Sequence, residues 1–481
     1  MSYTVKRVSF VVMVLVFIVG IVGYLLIFQA FGRTYAFEKN AGQQGIGTVG
    51  TSTGDWPMYQ GDSGRSGYNS AETIITPANA SKLKVHWKHL AGGGISSQVA
   101  AANGVLYWGS WDGIEHGTNL SGTDVWTTNL GQTTDTSCNP PTVGVASTAA
   151  VATVPINGTP TSVVFVGGGN SKFYALDAST GTPLWQTSLG TLPAYFLWSS
   201  PVVYNGNVYE GVSSFGDCPL VRGAIVMMNA STGVIQHTFY TMPNGCLGAS
   251  VWASPTIDTG AGSLYIVTGN AKRCSQAGQL FYSIVKLNAS NLSLVQSWQI
   301  PPADRFTDDD FGATPSLFIA SIGGVNHNMV GVLNKNGKYY AFDRTNISQG
   351  PIWEAQVGNL GSAHNIASSA WDGTKLYVAG QTTTINGKSC TGSVNALNPA
   401  DGTFIWRICQ TTGKAFCPVV VSPGLLMIGQ GRYLKVFSAS SGATLFSYQE
   451  TITGSLFRAP IISNGVIYIG NMDGNLDAFG L

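Results

Sequence analysis

One pattern recurs along most of this chain and limits the folds open to it. In "YALDASTGTPLW" a strand-like run, a polar turn and a second strand lead to Trp185. Similar stretches recur roughly every 40 to 60 residues, a period typical of repeat architectures. They end at Trp126, His237, Trp298, Trp353, Trp406 and Phe446.

A second pattern lies upstream of many of these stretches. It joins an apolar run to another apolar run through Asn-Gly or a similar turn, as in "SSPVVYNGNVYEG", "ASPTIDTGAGSLYIVTG" and "APIISNGVIYIG". Asn-Gly between apolar runs is a strong signal for a β-hairpin. The two patterns together predict units of four short antiparallel strands, each of which is one blade of a β-propeller.

The two ends of the repeat region indicate how the ring closes. The last unit stops at "GNLDAFGL", after its third strand, whereas "SKLKVHWKH" (Ser81 to His89) carries a tryptophan without a preceding blade. We therefore predict that the segment around Trp87 supplies the missing strand of the final blade. Such pairing removes exposed sheet edges and gives an all-β, eight-bladed propeller. We expect the repeat tryptophans to pack between neighbouring blades.

The composition agrees with this fold and narrows the choice of partners. The chain holds 61 glycines and 12 tryptophans and only 10% charged residues, which suits short strands and tight turns. Its net charge of +1 gives no sign of a nucleic-acid partner.

The N-terminal segment stands apart from the repeats. Residues 8–31 are almost wholly apolar and long enough to span a bilayer, and Lys6 and Arg7 precede them. A cleaved signal peptide would have a shorter apolar core and a small-residue cleavage site. We therefore predict a cytoplasmic N-terminus (1–7), a transmembrane signal anchor (8–31), a flexible linker (32–54) and an extracytoplasmic propeller (55–481).

The cysteine content fits an exported protein. Seven cysteines allow disulfides but leave at least one unpaired within the chain. Cys390 and Cys409 flank one predicted strand pair and could bridge it. The chain has no C-x-x-C-H motif for covalent haem and lacks the C-x-x-C spacing of common zinc sites.

The turn "DASTGTPLW" and the eight-blade count resemble the pyrroloquinoline quinone (PQQ) repeat proteins. Within them, "DWPMYQGDSGRSGYN" and "YWGSWDG" look like the polyvinyl-alcohol-dehydrogenase branch of the quinoprotein alcohol dehydrogenases. The resemblance runs over nearly the whole chain after residue 55. The repeat implies the propeller but not the activity, because non-catalytic relatives exist, including the outer-membrane assembly scaffold lipoprotein.

The stretch "SVWASPTIDTGAGSLYIVTGN" provides two site residues by this resemblance. Trp252 matches the tryptophan that stacks on the flat quinone, and Asn270 matches the asparagine that binds the cofactor's Ca²⁺. Indole offers a large flat surface, and an amide oxygen is a suitable hard ligand for calcium. Packing between blades for Trp252 and a turn position for Asn270 are the structural alternatives.

The stretch "FTDDDFGATP" places three adjacent aspartates ahead of a blade. The resemblance implies that Asp308 or Asp310 is the catalytic base, and we favour Asp308, which would also contact the metal ion. Lys335 in "NKNGKYYAFDR" matches the cation that holds the quinone oxygens. A solvated charged loop and a surface lysine are the alternatives. If the segment is extended, its alternating side chains would point Asp308 and Asp310 the same way.

Two further matches are weaker. Asn365 in "SAHNIASSAWD" matches an asparagine that hydrogen-bonds the quinone, but Ile366 replaces the family's neighbouring tryptophan. Asp217 in "SSFGDCPLVRG" is the carboxylate nearest the family's calcium-binding glutamate, one residue offset and shorter.

The family's pair of adjacent cysteines is also missing. Ser137 precedes Cys138, which is left to pair elsewhere, with Cys218 or Cys246 as candidates, or to stay free.

These matches predict PQQ- and calcium-dependent oxidation of a small or polymeric alcohol by hydride transfer to the quinone. A separate electron acceptor is expected because the chain lacks a haem motif. The alternatives are a non-catalytic propeller that binds cell-envelope proteins, and a propeller hydrolase or lyase, for which the sequence gives no nucleophile–base pair.

Overall fold

The described residues fold mainly into eight antiparallel sheets of four or five strands that follow one another along the chain. The computed structural model describes residues 54–272, 274–306, 308–360, 365–451 and 457–481. Each sheet is one blade, and the predicted eight-bladed β-propeller is confirmed. The predicted membrane span 8–31 lies outside the described residues. Within the described ranges, no helix is long and apolar enough to cross a membrane.

The blades are numbered here in chain order, with their strands in sequence order. Blade 1 contains Ala100–Ala102, Val105–Gly109, Ile114–Asn119 and Asp124–Asn129. Blade 2 contains Ala150–Ile156, Thr159–Gly167, Lys172–Asp177 and Pro183–Ser188. Blade 3 contains Val202–Tyr204, Asn207–Ser214, Ala224–Asn229 and Ile235–Tyr240, and the short strand Tyr195–Phe196 joins it. Blade 4 contains Thr256–Asp258, Ser263–Val267, Ser283–Asn288 and Leu294–Gln299.

The second half of the ring repeats this arrangement. Blade 5 contains Ser316–Ile322, Val325–Leu333, Lys338–Asp343 and Trp353–Gln356. Blade 6 contains Ala370–Trp371, Leu376–Ile385, Lys388–Leu397 and Phe404–Gln410. Blade 7 contains Val420–Ser422, Leu425–Gln430, Tyr433–Ser438 and Thr444–Gln449. Outside the blades, the described chain forms a small sheet (Thr133–Thr134 with Thr142–Val143) and the 3₁₀ turns Ala80–Lys82, Pro302–Asp304 and Ile347–Gln349.

Blade 8 closes the ring as predicted. Its first three strands are Phe457–Ser463, Val466–Asn471 and Asn475–Gly480, and the fourth is Lys84–Leu90 from the start of the propeller. This closing strand, Lys84–Leu90, pairs antiparallel with Asn475–Gly480.

The repeat tryptophans join neighbouring blades, as expected. The Trp126 indole N–H donates to the Ala178 carbonyl oxygen (3.0 Å), and Trp185 does the same to Ala230. Gly181, in the turn that receives Trp126, has a φ of +70° and lies against the indole face, where a Cβ would come within 2.4 Å of the ring. This contact explains why the repeat turn ends in glycine.

A ring of hydroxyl groups joins the first strands around the channel. The Gln98 backbone N–H donates to Thr148 Oγ1, and the same bond then repeats from blade to blade through Ser200, Ser254, Thr314 and Ser368 at 2.8–3.1 Å. In blade 7, Pro418 stands at the corresponding position, two residues before the first strand. In blade 8, the carbonyl oxygen of Pro460 accepts a hydrogen bond from the Gln98 side chain (2.8 Å).

The segment Trp56–Asn69, called here the hub, contacts every blade. Its backbone exchanges hydrogen bonds with the first strands of six blades, through Ala101, Val151, Ile257, Leu317, Trp371 and Val421. The Arg65 guanidinium donates to Pro201 O (3.1 Å) just before the first strand of blade 3, and Asn69 Nδ2 donates to Ile462 O (2.8 Å) in blade 8. The hub thus ties the eight blades together.

Candidate functional site

The predicted site residues come from two kinds of position in a blade. Trp252 and Asp308 to Asp310 lie ahead of first strands, whereas Asp217, Asn270 and Lys335 follow second strands. Because these two strands are antiparallel, the entry to the first and the exit from the second lie at the same edge of the sheet. The fold therefore gathers residues that are far apart in sequence at one end of the channel.

Lys335 forms ion pairs with two of the three adjacent aspartates. Its Nζ atom lies 2.7 Å from Asp308 Oδ1 and 3.1 Å from Asp310 Oδ2. The Asp308 side chain is 40% exposed, whereas Asp310 and Lys335 are 7% and 10% exposed. The sequence left open which aspartate points inward, and in the structure both line the same cavity.

Burial and charge shift the pKa values in this cluster. Burial raises the pKa of Asp310 to about 6, against the lowering effect of Lys335. Burial lowers the pKa of Lys335, but the charges of Asp310 and Asp308 outweigh it and leave a net rise. Lys335 is therefore a firmly charged ammonium, and Asp310 ionises within the physiological range.

Asp309 lies outside the cavity. It is fully buried, and burial raises its pKa to about 8. The Asn334 amide donates to the backbone oxygens of Asp309 and Asp310 (2.9 and 3.0 Å), and the Lys335 N–H donates to Asp310 O (3.1 Å). The turn after the second strand of blade 5 thus holds the aspartate segment in place.

Trp252 forms a flat wall beside this cluster. Lys335 Nζ lies 5.4 Å from the centre of its ring system. A Cβ at Gly312 would come within 2.2 Å of the indole, so only glycine leaves room for the ring there. Trp252 lines two cavities, one of about 460 Å³ that contains the ion pairs and one of about 310 Å³ that contains Tyr59 of the hub.

Asp217 and Asn270 line the same 460 Å³ cavity as the ion pairs. The Ser214 hydroxyl donates to Asp217 Oδ1, and the charge of Asp217 contributes to the raised pKa of Asp310. Three carboxylates and the amides of Asn139 and Asn270 thus converge on one volume, together with a single ammonium. Such a donor set suits a hard cation.

Asn365 does not line this cavity. It is 1% exposed, its Nδ2 donates to Lys335 O and Asn359 O (both 3.2 Å), and its Oδ1 accepts from Gln381 N (2.7 Å). This geometry favours a role in positioning Lys335. The predicted contact between Asn365 and a cofactor stays a prediction.

Trp198 is a wall residue that the sequence reasoning missed. It lines both cavities, and its indole N–H donates to Phe215 O (3.0 Å). A sequence pattern could have identified Trp198, because "WSSP" at Trp198 and "WASP" at Trp252 occupy the same position relative to the first strands of blades 3 and 4.

A disulfide joins two loops of the cavity. Cys138 pairs with Cys218, one of the two partners left open by the sequence. Asn139 and Pro140 follow Cys138 and line the cavity, as does Phe215 before Cys218. Cys390 pairs with Cys409, which the sequence offered as a possible bridge, Cys246 pairs with Cys274, and the odd cysteine is the buried Cys417.

The arrangement can hold a flat organic molecule beside a cation. The indole of Trp252 offers a planar apolar face, Lys335 offers a fixed positive charge, and Asp308 is the more exposed of the two carboxylates paired with Lys335. Asp310 Oδ1 is buried without a hydrogen-bond partner among the described residues. A buried carboxylate oxygen left in this way favours a bound cation.

The chain is similar in sequence to known proteins over most of its length. The family model PQQ_2, described as outer membrane protein assembly factor BamB, matches residues 114–275. Polyvinylalcohol dehydrogenase of a Pseudomonas species is 23% identical over 470 residues, which cover 82% of this chain and 70% of that protein.

Two solved structures share the fold. The quinohemoprotein alcohol dehydrogenase from Comamonas testosteroni superposes with a TM-score of 0.71 at 17% identity, covering 89% of this chain and 80% of that one. A europium-containing methanol dehydrogenase has a TM-score of 0.70 at 15% identity, covering 90% and 99%.

The predicted resemblance to the PQQ-repeat β-propellers of the quinoprotein alcohol dehydrogenase type is therefore confirmed. The relatives and structural neighbours named here are alcohol dehydrogenases, in line with the predicted enzyme class, an oxidoreductase.

Proposed function

We propose that this chain oxidises an alcohol with PQQ and Ca²⁺ as its cofactors. The observation that carries the proposal is the convergence of Asp217, Asp308, Asp310 and Lys335 on one cavity beside Trp252. A propeller that only scaffolds other proteins has no need for buried like charges, which cost free energy without a cation.

The cavity residues fit both cofactors. Trp252 would stack on the quinone, and Lys335 would hold its oxygens. Asp217, Asn270 and Asp308 would hold the metal ion, and the unpartnered Oδ1 of Asp310 lies in the same cluster. With all three aspartates ionised beside Lys335, two negative charges remain, which a divalent cation would neutralise.

When bound, PQQ supplies the two-electron acceptor that alcohol oxidation requires. Asp308 removes the hydroxyl proton of the alcohol, since it is the more exposed of the two carboxylates held by Lys335. Lys335 keeps a positive charge beside both carboxylates and aligns them. The walls formed by Trp252 and Trp198 exclude water from one side of the reacting groups.

The substrate is a small or polymeric alcohol, and the relative named polyvinylalcohol dehydrogenase supports the polymeric choice. A separate protein or small molecule accepts the electrons. We further propose that residues 8–31 anchor the chain in the cytoplasmic membrane with the propeller outside. Three disulfides in the described residues support an oxidising compartment.

The test is reconstitution. The purified chain, mixed with PQQ and Ca²⁺, should retain quinone absorbance after desalting and reduce an artificial electron-acceptor dye when an alcohol is added. Retention of no quinone would refute the proposal and favour the scaffold function. A comparison of Ca²⁺ with Eu³⁺ tests the ion, since tighter binding and faster turnover with Eu³⁺ would refute calcium but keep the site.

Variants test the base. Asp308→Ala should retain quinone but lose about 10²- to 10⁴-fold in turnover. Asp304→Ala is the matched control, because Asp304 is 38% exposed and also lies near a lysine, 3.6 Å from Lys338. Full turnover by Asp308→Ala would move the role of base to Asp310.

A further inference from the structure

A second cluster of metal-ligating side chains lies away from the cavity, at the seam where the ring closes. His89 belongs to the closing strand of blade 8, whereas His116 and Asp124 belong to the third and fourth strands of blade 1. Two elements that are neighbours only because the ring is closed thus supply one cluster.

The spacing of the three ligand atoms matches a tetrahedral metal ion. Asp124 Oδ2 lies 3.1 Å from His116 Nδ1 and 3.4 Å from His89 Nε2, and all three atoms lie within 4.8 Å of one another. Two ligands bound at about 2.0–2.1 Å to a tetrahedral zinc ion lie about 3.3 Å apart.

The remaining ring nitrogens fix both tautomers. His89 Nδ1 lies 2.9 Å from the Gly122 carbonyl oxygen, which can only accept, so Nδ1 carries the proton. His116 Nε2 lies 3.3 Å from Ser110 Oγ, whose own proton goes to Asp112. His116 therefore donates through Nε2.

In their neutral forms, both imidazoles then direct a lone pair at the Asp124 carboxylate. His89 Nε2, His116 Nδ1 and Asp124 Oδ2 are then all acceptors and repel one another unless a cation lies among them. Protonating both rings would instead place two positive charges 5.7 Å apart, measured between ring centres, beside a single carboxylate.

The surrounding residues hold the cluster rigid. The Trp108 ring stacks on His116 at 3.9 Å and meets His89 edge-on at 5.3 Å. Thr118 donates to Asp124 Oδ1 (2.8 Å) and accepts from Trp108 Nε1 (2.9 Å), which leaves Oδ2 for the histidines. Such outer contacts are typical of metal sites with preset ligands.

We propose that His89, His116 and Asp124 bind one zinc ion, with water as the fourth ligand. Two imidazoles and one carboxylate form a donor set that suits zinc better than calcium. The ion joins the closing strand to blade 1 and so stabilises the closed ring.

Metal titration of the full chain tests the proposal. After chelator treatment, the protein should bind about one Zn²⁺ per chain and show a higher Tm, since a ligand that binds only the folded state stabilises it. Co²⁺ should give the visible absorption of a tetrahedral site. Absence of stoichiometric binding would refute the proposal.

Variants separate this cluster from the acidic cavity. His89→Gln and Asp124→Asn should each abolish the Co²⁺ spectrum and the zinc-dependent rise in Tm. His327→Gln should leave both unchanged, because His327 contacts only one carboxylate, Asp343 at 2.8 Å, and belongs to no three-ligand group among the described residues. Unchanged Zn²⁺ binding by His89→Gln would overturn the assignment.

Discussion

Individual side chains decide whether the 460 Å³ cavity can accept a flat molecule. Trp252 lies against Gly312 without room for a methyl group, and Lys335 ties Asp308 and Asp310 together. The size of residue 312 therefore sets the position of the Trp252 ring, whereas Lys335, Asp308 and Asp310 set the charge of the cavity. Single substitutions can separate these two effects.

We expect Gly312→Ala to weaken quinone binding about tenfold or more. The added methyl group would displace the Trp252 ring, and overpacking of this kind costs about 1–3 kcal/mol. Quinone absorbance after desalting measures the effect. Gly260→Ala is the control, since its nearest atom would lie 3.5 Å away, and equal binding by both variants would contradict the wall role of Trp252.

The raised pKa of Asp310 predicts a pH dependence of stability. The folded protein keeps this proton to about pH 6, whereas the unfolded chain releases it near the ordinary value of 3.8. The contribution of Asp310 to the free energy of unfolding thus falls as pH rises from about 4 to 6, by at most about 3 kcal/mol.

Asp310→Asn should remove this fall in the free energy of unfolding, because asparagine does not ionise. Without added metal, the variant should gain stability relative to the wild type between pH 4 and 6 and hold that gain above pH 6, measured by urea unfolding. Asp401→Asn, at an exposed turn, should show no such gain. If the free energies of unfolding of the wild type and Asp310→Asn differed by the same amount at every pH from 4 to 6, a raised pKa of Asp310 would be contradicted.

The strands of the propeller could be predicted from the sequence, whereas some contacts made by its turns could not. The repeat predicted the blades and the closing strand, because each unit carries its own turn and tryptophan signals. The antiparallel pairing of first and second strands then brings Trp252 and Lys335 together. Asn365 was harder to place, since its partners depend on the conformation of the turn that holds Lys335.

The hub was not predictable as a connector. Its hydrogen bonds come mainly from backbone groups of a segment that does not repeat, and no period in the sequence records them. Trp198, in contrast, could have been found by aligning "WSSP" with "WASP".

The disulfide Cys138–Cys218 should slow release of a bound quinone. It joins the loop containing Asn139 and Pro140 to the loop that ends at Asp217, and both line the cavity. The double variant Cys138→Ser/Cys218→Ser should fold but lose quinone faster on dilution. Cys390→Ser/Cys409→Ser is the control, and equal release rates would exclude a role for the first disulfide.

The ring as a whole depends on the hub at its centre. Arg65 is fully buried and donates to four carbonyl oxygens, those of Tyr59, Pro255, Ser200 and Pro201, at 2.6–3.4 Å. Burial lowers its pKa to about 10, so the guanidinium stays charged at neutral pH. One side chain thus connects the hub to the start of blades 3 and 4.

Arg65→Met should lower the free energy of unfolding by more than about 3 kcal/mol, because several buried carbonyl oxygens lose a charged donor. Denaturant titration measures the loss. Arg222→Met is the matched control, with one such bond in the described structure, to Met242 O at 2.7 Å. Equal losses in the two variants would contradict a central role for Arg65.

The hub also has a consequence for the order of synthesis. It is made before any blade, yet the partner of Asn69 in blade 8 lies 393 residues later. Contacts of such long range are slow to form. A growing chain can stack its early blades. It cannot complete the hydrogen bonds of the hub, or pair the closing strand, until residues 457–480 have been made. Until then both are open to other partners, so completion of the ring, more than the folding of any single blade, is the step most exposed to aggregation.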